Sequence, residues 1–267
     1  MGMPFAEFLA RRGILPGIKV DQKTEPFNQV QGKPLAGSPT EEVTKGLPGL
    51  PARLAEYIGM GATFTKWRAV IRIDGDKLPT DSCLRENAVR LAKYAKASQD
   101  AGLVPIIEPE VLLDGVHTLK RSEEVLTKTL HVVFQEIAKA NVDLSGLILK
   151  SSMTLPGKDS GEIVTPAQIV EATLLAFSAS VPKEIPGIVF LSGGQTSEEA
   201  TVRLHAIVKE AQKQHAPWRI TFSYSRALQE PVMKAWGGKD ENVAEAQKIF
   251  LKRVEETAVA TRGESKK

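Results

Sequence analysis

Lys150 closes a run, Gly146-Leu147-Ile148-Leu149-Lys150, that is apolar until its last position. Fully burying a lysine is unfavourable unless its charge is paired or its pKa falls. A lysine whose pKa has fallen is a nucleophile toward carbonyls. Taken alone, the residue reads better as a lysine that simply emerges into solvent at a strand end. Its counterparts elsewhere in the chain shift that balance. Side chains two apart on a strand share a face, which pairs Lys19 with Asp21, and Lys66 with Arg68 in Phe64-Thr65-Lys66-Trp67-Arg68. Glu108 and Glu110 form a third pair if their strand continues through Pro109. Charged groups at the ends of otherwise apolar strands describe a functional interior better than separate salt bridges do. Within it, Lys66 would help keep Lys150 neutral by like-charge repulsion, and Glu108 could shuttle protons.

Two further strand ends suit an anion. Leu191-Ser192-Gly193-Gly194-Gln195 joins an apolar strand to a capped helix, so its glycines expose backbone N–H groups at a helix N-terminus. Ser223-Tyr224-Ser225-Arg226 ends the next strand with a guanidinium that can fork onto the same anion. A lysine nucleophile, carboxylates, a second lysine and a phosphate clamp together point to Schiff-base chemistry on a phosphorylated ketose. No metal or organic cofactor is expected, because His117, His131, His205 and His215 are scattered without ligand spacing and read as surface or helix-packing residues. Trp67, lying between two inward charges, should face outward into a helix layer, and Trp218 and Trp236 should be core. Cys83 reads as an inert thiol.

These side chains need a sheet to carry them. Strands are expected at Gly17 to Asp21, Phe64 to Ile73, Leu103 to Glu108, Gly146 to Lys150, Gly187 to Ser192 and Arg219 to Tyr224. Between them lie helices with legible starts: Thr165-Pro166-Ala167-Gln168 and Thr196-Ser197-Glu198-Glu199 both have capping-box spacing. Further helices are expected over Leu84 to Ala101, Leu119 to Ala140 and Glu241 to Ala258. Repeated βα units with apolar strands imply a parallel sheet covered by helices, either an open doubly wound sheet or an incomplete eight-strand barrel. No Gly-x-Gly-x-x-Gly follows the first strand, which argues against a dinucleotide site. The segment Gln22 to Leu47, about 26 residues rich in proline and glycine, is long for a connector and reads as a functional loop.

Composition sets the outer bounds. The chain has 267 residues, 42% hydrophobic and 25% charged, with a formal net charge of +3 and one cysteine. That charge is too small to argue for nucleic acid or a membrane surface, and a single cysteine fits a reducing compartment. No apolar run approaches the ~18 residues of a membrane span. A single domain over 1–267 is expected, cytoplasmic, with a flexible tail from about 259.

At these same residues the sequence resembles class I fructose-1,6-bisphosphate aldolase, from about Pro4 to about Ala258. Pro16-Gly17-Ile18-Lys19-Val20-Asp21, Lys66-Trp67-Arg68, Val104-Pro105-Ile106-Ile107-Glu108-Pro109-Glu110, Leu191-Ser192-Gly193-Gly194-Gln195 and Lys234-Ala235-Trp236-Gly237-Gly238-Lys239 carry the likeness. The resemblance implies an α/β fold of the TIM (β/α)8 type and a glycolytic and gluconeogenic carbon–carbon lyase. Its substrate would be fructose 1,6-bisphosphate, its products dihydroxyacetone phosphate and glyceraldehyde 3-phosphate. It further implies Lys150 as the Schiff-base lysine, Glu108 as its general acid/base and Lys66 as the electrostatic partner. Ser192, Gly193, Ser225 and Arg226 would hold the C1 phosphate, and Lys19 and Arg68 would lie on the C6-phosphate side. Asp21 and Glu110 would orient those lysines, and a homo-oligomer is possible.

Departures from the family pattern set further expectations. Only about six βα units fit, matching the third to eighth strands of the family barrel; eight units of roughly 40 residues would need about 320. Exposed parallel edges would follow, covered in an oligomer or by a separate peptide, or else prone to aggregation. Ser151-Ser152-Met153 replaces a typical Pro-Asn-Met, freeing backbone beside the nucleophile. Ser225 stands where glycine is common and would perturb the clamp if an unusual φ were needed there. The last tyrosine is Tyr224, whereas many members end in a tail with a terminal tyrosine that assists proton exchange. A catalytically impaired relative that binds a sugar phosphate or a protein partner is the competing function.

Overall fold

Burial alternates along β4 (Phe64–Ile71) and separates two environments. Thr65, Trp67, Ala69 and Ile71 are buried on one face, while Phe64, Lys66, Arg68 and Val70 are half-buried on the other. The structure, a computed structural model, describes residues 2–27 and 41–263. β4 lies in a six-stranded sheet with β1 (Gly17–Lys19), β5 (Val104–Val111), β6 (Ile148–Ser151), β7 (Gly187–Phe190) and β8 (Arg219–Phe222). Its order is β1-β4-β5-β6-β7-β8, and every pairing is parallel. Sequential parallel neighbours joined by helical crossovers are the βα arrangement that apolar strands imply. All six expected strands are present, several of them shorter at their C-terminal ends. β5 instead runs through Pro109, which pairs with Ala69, and reaches Val111.

Helices α3 (Asp81–Asp100), α4 (Leu119–Lys139), α5 (Pro166–Ser180), α6 (Ser197–Lys213) and α8 (Val243–Ala260) follow the sequence pattern. Side chains fix where they begin. Thr80 and Thr118 accept the backbone N–H groups of Cys83 and Arg121, and Thr165/Gln168 and Thr196/Glu199 form reciprocal capping boxes. Three helices were not expected: α1 (Phe5–Ala10), α2 (Leu50–Gly59) and α7 (Arg226–Trp236). α7 holds Pro231 in its interior, where proline removes a hydrogen bond and masks the helical pattern. It stops at Gly237, whose φ of 59° suits glycine.

The segment Gln22 to Leu47 is not wholly a loop. β2 (Thr24–Pro26) and β3 (Glu42–Thr44) pair antiparallel at its two ends, and its middle lies outside the described residues. α8 continues to Ala260, past the expected start of the tail, whose last residues 264–267 also lie outside them. No described helix is long and apolar enough to cross a membrane.

The core fills the space between sheet and helices. Trp67 is fully buried and stacks on Tyr94 of α3 with ring centroids 5.3 Å apart, the outward orientation expected of it. Phe177 of α5 stacks on Phe190 and meets the edge of Trp218. Trp218 is buried and donates its indole N–H to the Pro182 carbonyl at 2.9 Å. Trp236 departs from the expectation: it is only half-buried, beside Met233, Phe250 and Leu251 in an apolar cleft between α7 and α8. Of the two roles expected for His117 the surface one is excluded, since the residue is buried in the loop before α4. Burial pushes the Cys83 thiol up to about 12, so it stays protonated and inert.

Candidate active site

The face of the sheet opposite the helices carries the charged residues. Register sets their positions: Lys19 aligns with Lys66, Arg68 with Glu108, and Ile107 with Leu149. Glu108 and Lys150 therefore stand side by side on adjacent strands. Lys150 Nζ is 3.1 Å from Glu108 Oε1, and Lys66 Nζ donates to the other oxygen of the same carboxylate. Glu108 is 3% exposed and Lys150 8% exposed, so one buried anion serves two amines. Burial lowers the Lys150 pKa below the ordinary lysine range. Glu108 opposes that shift, while the Lys66 charge adds to it.

A second set of ion pairs extends toward β1. Lys19 donates to Asp21 Oδ1, and the backbone N–H of Arg68 donates to Asp21 Oδ2 at 3.2 Å, tying the exit of β1 to the middle of β4. Arg53 of α2 reinforces that corner by donating to the carbonyls of Val20 and Gly46. The sequence reading missed Arg53, since one arginine on an unrecognised helix carries no signal. Arg68 Nε donates to Glu110 Oε2. Burial works against the Arg68 charge, but Glu110, with Glu108 and Asp21 behind it, raises its pKa overall. Glu110 was expected to orient a lysine; its partner is Arg68 instead, which lies on the neighbouring strand within reach of its side chain.

The glycine turn follows β7. Ser192 is 5% exposed, and its hydroxyl accepts the backbone N–H of Ala227 at 3.4 Å, linking the turn to the start of α7. Gly193 is closely surrounded: a Cβ there would stand 3.0 Å from Glu110 Oε1 and 3.3 Å from Arg226 Nη2. Gly194 has φ of 76°, a conformation that favours glycine. These contacts bring Ser192, Gly193 and Arg226 together. The Ser225 hydroxyl turns away to Gln229 at 3.0 Å. Its φ of −110° is open to any residue, so the expected strain at Ser225 is absent.

Nor is the backbone after Lys150 loosened by the loss of proline. Ser151, Ser152 and Met153 are all buried; Ser151 donates its hydroxyl to the Ser152 carbonyl and accepts the Leu191 N–H at 3.0 Å. Ladder hydrogen bonds do the work that proline's fixed φ would do. Tyr224 is buried and bonded through its hydroxyl to the Ala200 carbonyl, which ties it to α6. Among the described residues no group of His, Cys, Asp and Glu could hold a metal ion.

A parallel βα sheet whose inner face pairs lysines with buried carboxylates defines an α/β enzyme of the barrel type. The sequence profile of class-I fructose-bisphosphate aldolase matches residues 1–267, and the chain belongs to that family. It is 45% identical over 267 residues to a probable fructose-bisphosphate aldolase class 1 of Xanthomonas campestris pv. campestris, covering 99% of this chain and 76% of the relative. It is also 45% identical over 262 residues to cytosolic fructose-bisphosphate aldolase 4 of Arabidopsis thaliana, covering 98% of this chain and 64% of that one. The solved fructose-bisphosphate aldolase of Plasmodium falciparum superposes with a TM-score of 0.91 at 40% identity, over all of this chain and 74% of its own. Members of this family are lyases that work through a lysine Schiff base and need no metal.

Proposed function

We propose that this chain reversibly cleaves fructose 1,6-bisphosphate to dihydroxyacetone phosphate and glyceraldehyde 3-phosphate, with Lys150 as nucleophile. The observation that carries the reading is the buried Lys150 amine, lowered in pKa and 3.1 Å from Glu108. Glu108 takes the proton that frees the Lys150 amine; the amine adds to the C2 carbonyl with one of its own protons passing to the oxygen, and Glu108 returns its proton so that the carbinolamine hydroxyl leaves as water. The resulting iminium accepts the electron pair of the breaking C3–C4 bond while the C4 hydroxyl gives its proton to the Glu108 carboxylate, now free of its own. The aldehyde departs, and an enamine remains to be protonated and hydrolysed. Lys66 keeps the charge balance of the site by holding the second Glu108 oxygen. Ser192, Gly193 and Arg226 would hold the C1 phosphate, and Lys19 and Arg68 the C6 phosphate, each by charge and backbone donors.

The reading extends to one domain acting in the cytoplasm, as the cytosolic plant relatives suggest, and to a homo-oligomer. Borohydride reduction in the presence of dihydroxyacetone phosphate, followed by peptide mass spectrometry, tests the nucleophile. A reduced adduct on Lys150, with turnover of the bisphosphate, is expected. An adduct on another lysine, or none, refutes the assignment. An adduct on Lys150 without turnover would mark a protein that binds but does not cleave.

A further inference from the structure

The two oxygens of the Glu110 carboxylate face different partners. Oε2 takes the Arg68 guanidinium, while Oε1 stands 3.0 Å from the point where a Gly193 Cβ would lie. Arg226 Nη2 approaches that same point to 3.3 Å from its own side, yet no ion pair joins Arg226 to Glu110. Glu110 is 6% exposed, so this anion sits among protein groups with little solvent around it. A side chain from β5 thus reaches across the sheet to the turn after β7.

An anion bound to the Gly193 N–H and Arg226 would meet this carboxylate at short range. Like charges repel, and the repulsion is strongest where water is scarce. Arg68 holds the carboxylate on its far oxygen, so Glu110 cannot swing clear of the turn without releasing that bond. We propose that Glu110 is a specificity-determining residue: an internal anion, anchored by Arg68, that competes with phosphate at the Gly193–Arg226 turn and sets its affinity. The inference rests on the reading of that turn as a phosphate site. Its consequence for selectivity is that weakly held anions are excluded, while a ligand with further points of attachment overcomes the repulsion.

Inorganic phosphate is the probe, titrated calorimetrically at low ionic strength into wild type, Glu110→Gln, Arg226→Ala and the double variant. Glu110→Gln should bind phosphate about threefold to tenfold more tightly than wild type, and added salt should narrow the gap. The gain should vanish in the double variant. A merely structural role for Glu110 would weaken binding, not tighten it. Unchanged or weaker binding by Glu110→Gln overturns the proposal, as does a gain that survives in the double variant, since the gain would then come from the freed Arg68. If Glu110→Gln does not fold, Glu110→Asp, whose shorter arm withdraws the charge from Gly193, is judged by the same criterion. Binding by Arg226→Ala equal to wild type would refute the phosphate site itself; loss of binding there with no effect of Glu110→Gln refutes only the role of Glu110.

Discussion

Nζ of Lys150 lies 3.1 Å from Oε1 of Glu108, and the other oxygen of that carboxylate is taken by Lys66. Two amines compete for one buried anion. Lys150 is the more buried of the pair, and burial together with the charge of Lys66 lowers its pKa.

Lys66→Met should move Lys150 the other way. Without the neighbouring cation, and with Glu108 left to it alone, the Lys150 pKa rises. The rate of borohydride-trapped adduct formation, measured against pH, should shift to higher pH than in wild type. A shift to lower pH would contradict the electrostatic role given to Lys66.

Glu108→Gln should separate acid/base catalysis from charge. Removing the anion deprives protonated Lys150 of its main support, so its pKa falls further and the pH profile moves to lower pH. Proton delivery is lost at the same time, and imine formation should slow by about 10²- to 10⁴-fold. Single-turnover trapping at saturating ligand reads both effects; a rate within threefold of wild type would remove Glu108 from the mechanism.

Lys150→Met should raise thermal stability near neutral pH. The folded pKa of Lys150 lies below the ordinary lysine value of 10.5, so between those two values the unfolded chain binds more protons and stability rises with pH. Below the folded value the native state bears the whole unfavourable charge. The variant removes that burden, raising Tm by about 2–4 °C for each kcal/mol relieved. The advantage should shrink as pH climbs toward 10.5. Melting curves between pH 7 and about 10 check it, and a constant difference across that range counts against it.

Tyr94→Phe should weaken the helix layer behind the site. The phenol of Tyr94 bonds to Thr65 at 2.9 Å and accepts the Ile106 N–H at 3.2 Å, joining β4 and β5 from α3. Its loss should destabilise by about 1–3 kcal/mol, because the Ile106 N–H keeps no side-chain acceptor. Chemical denaturation should show this with little change in ligand affinity.

The strands and their inward charges were legible because a period of two in an apolar run is a strong signal, and Lys66, Arg68, Glu108 and Lys150 interrupt it on one face. The capping boxes of α5 and α6 were equally plain. What the sequence concealed depends on contacts between distant residues. Nothing in Arg68 or Glu110 says that they choose each other, because the β4–β5 register sets Arg68 beside Glu108 and the guanidinium reaches Glu110 diagonally, two residues further along β5. α7 was hidden by Pro231, and the half-buried state of Trp236 by the way α7 and α8 meet. The ladder bond from Leu191 to Ser151, which replaces a missing proline, could not be read from Ser151 at all.

β6 is four residues long, and on it Lys150 shares a face only with Ile148. Insertion or deletion of one residue just before Ile148 would rotate that position by half a turn, delivering Lys150 into the hydrocarbon layer under α4 and α5. Added length in a connector leaves that geometry alone, whereas the count of residues from Leu147 to Ser151 sets which way the amine faces. A chain that lost that count would keep its helices and its sheet while turning Lys150 away from Glu108.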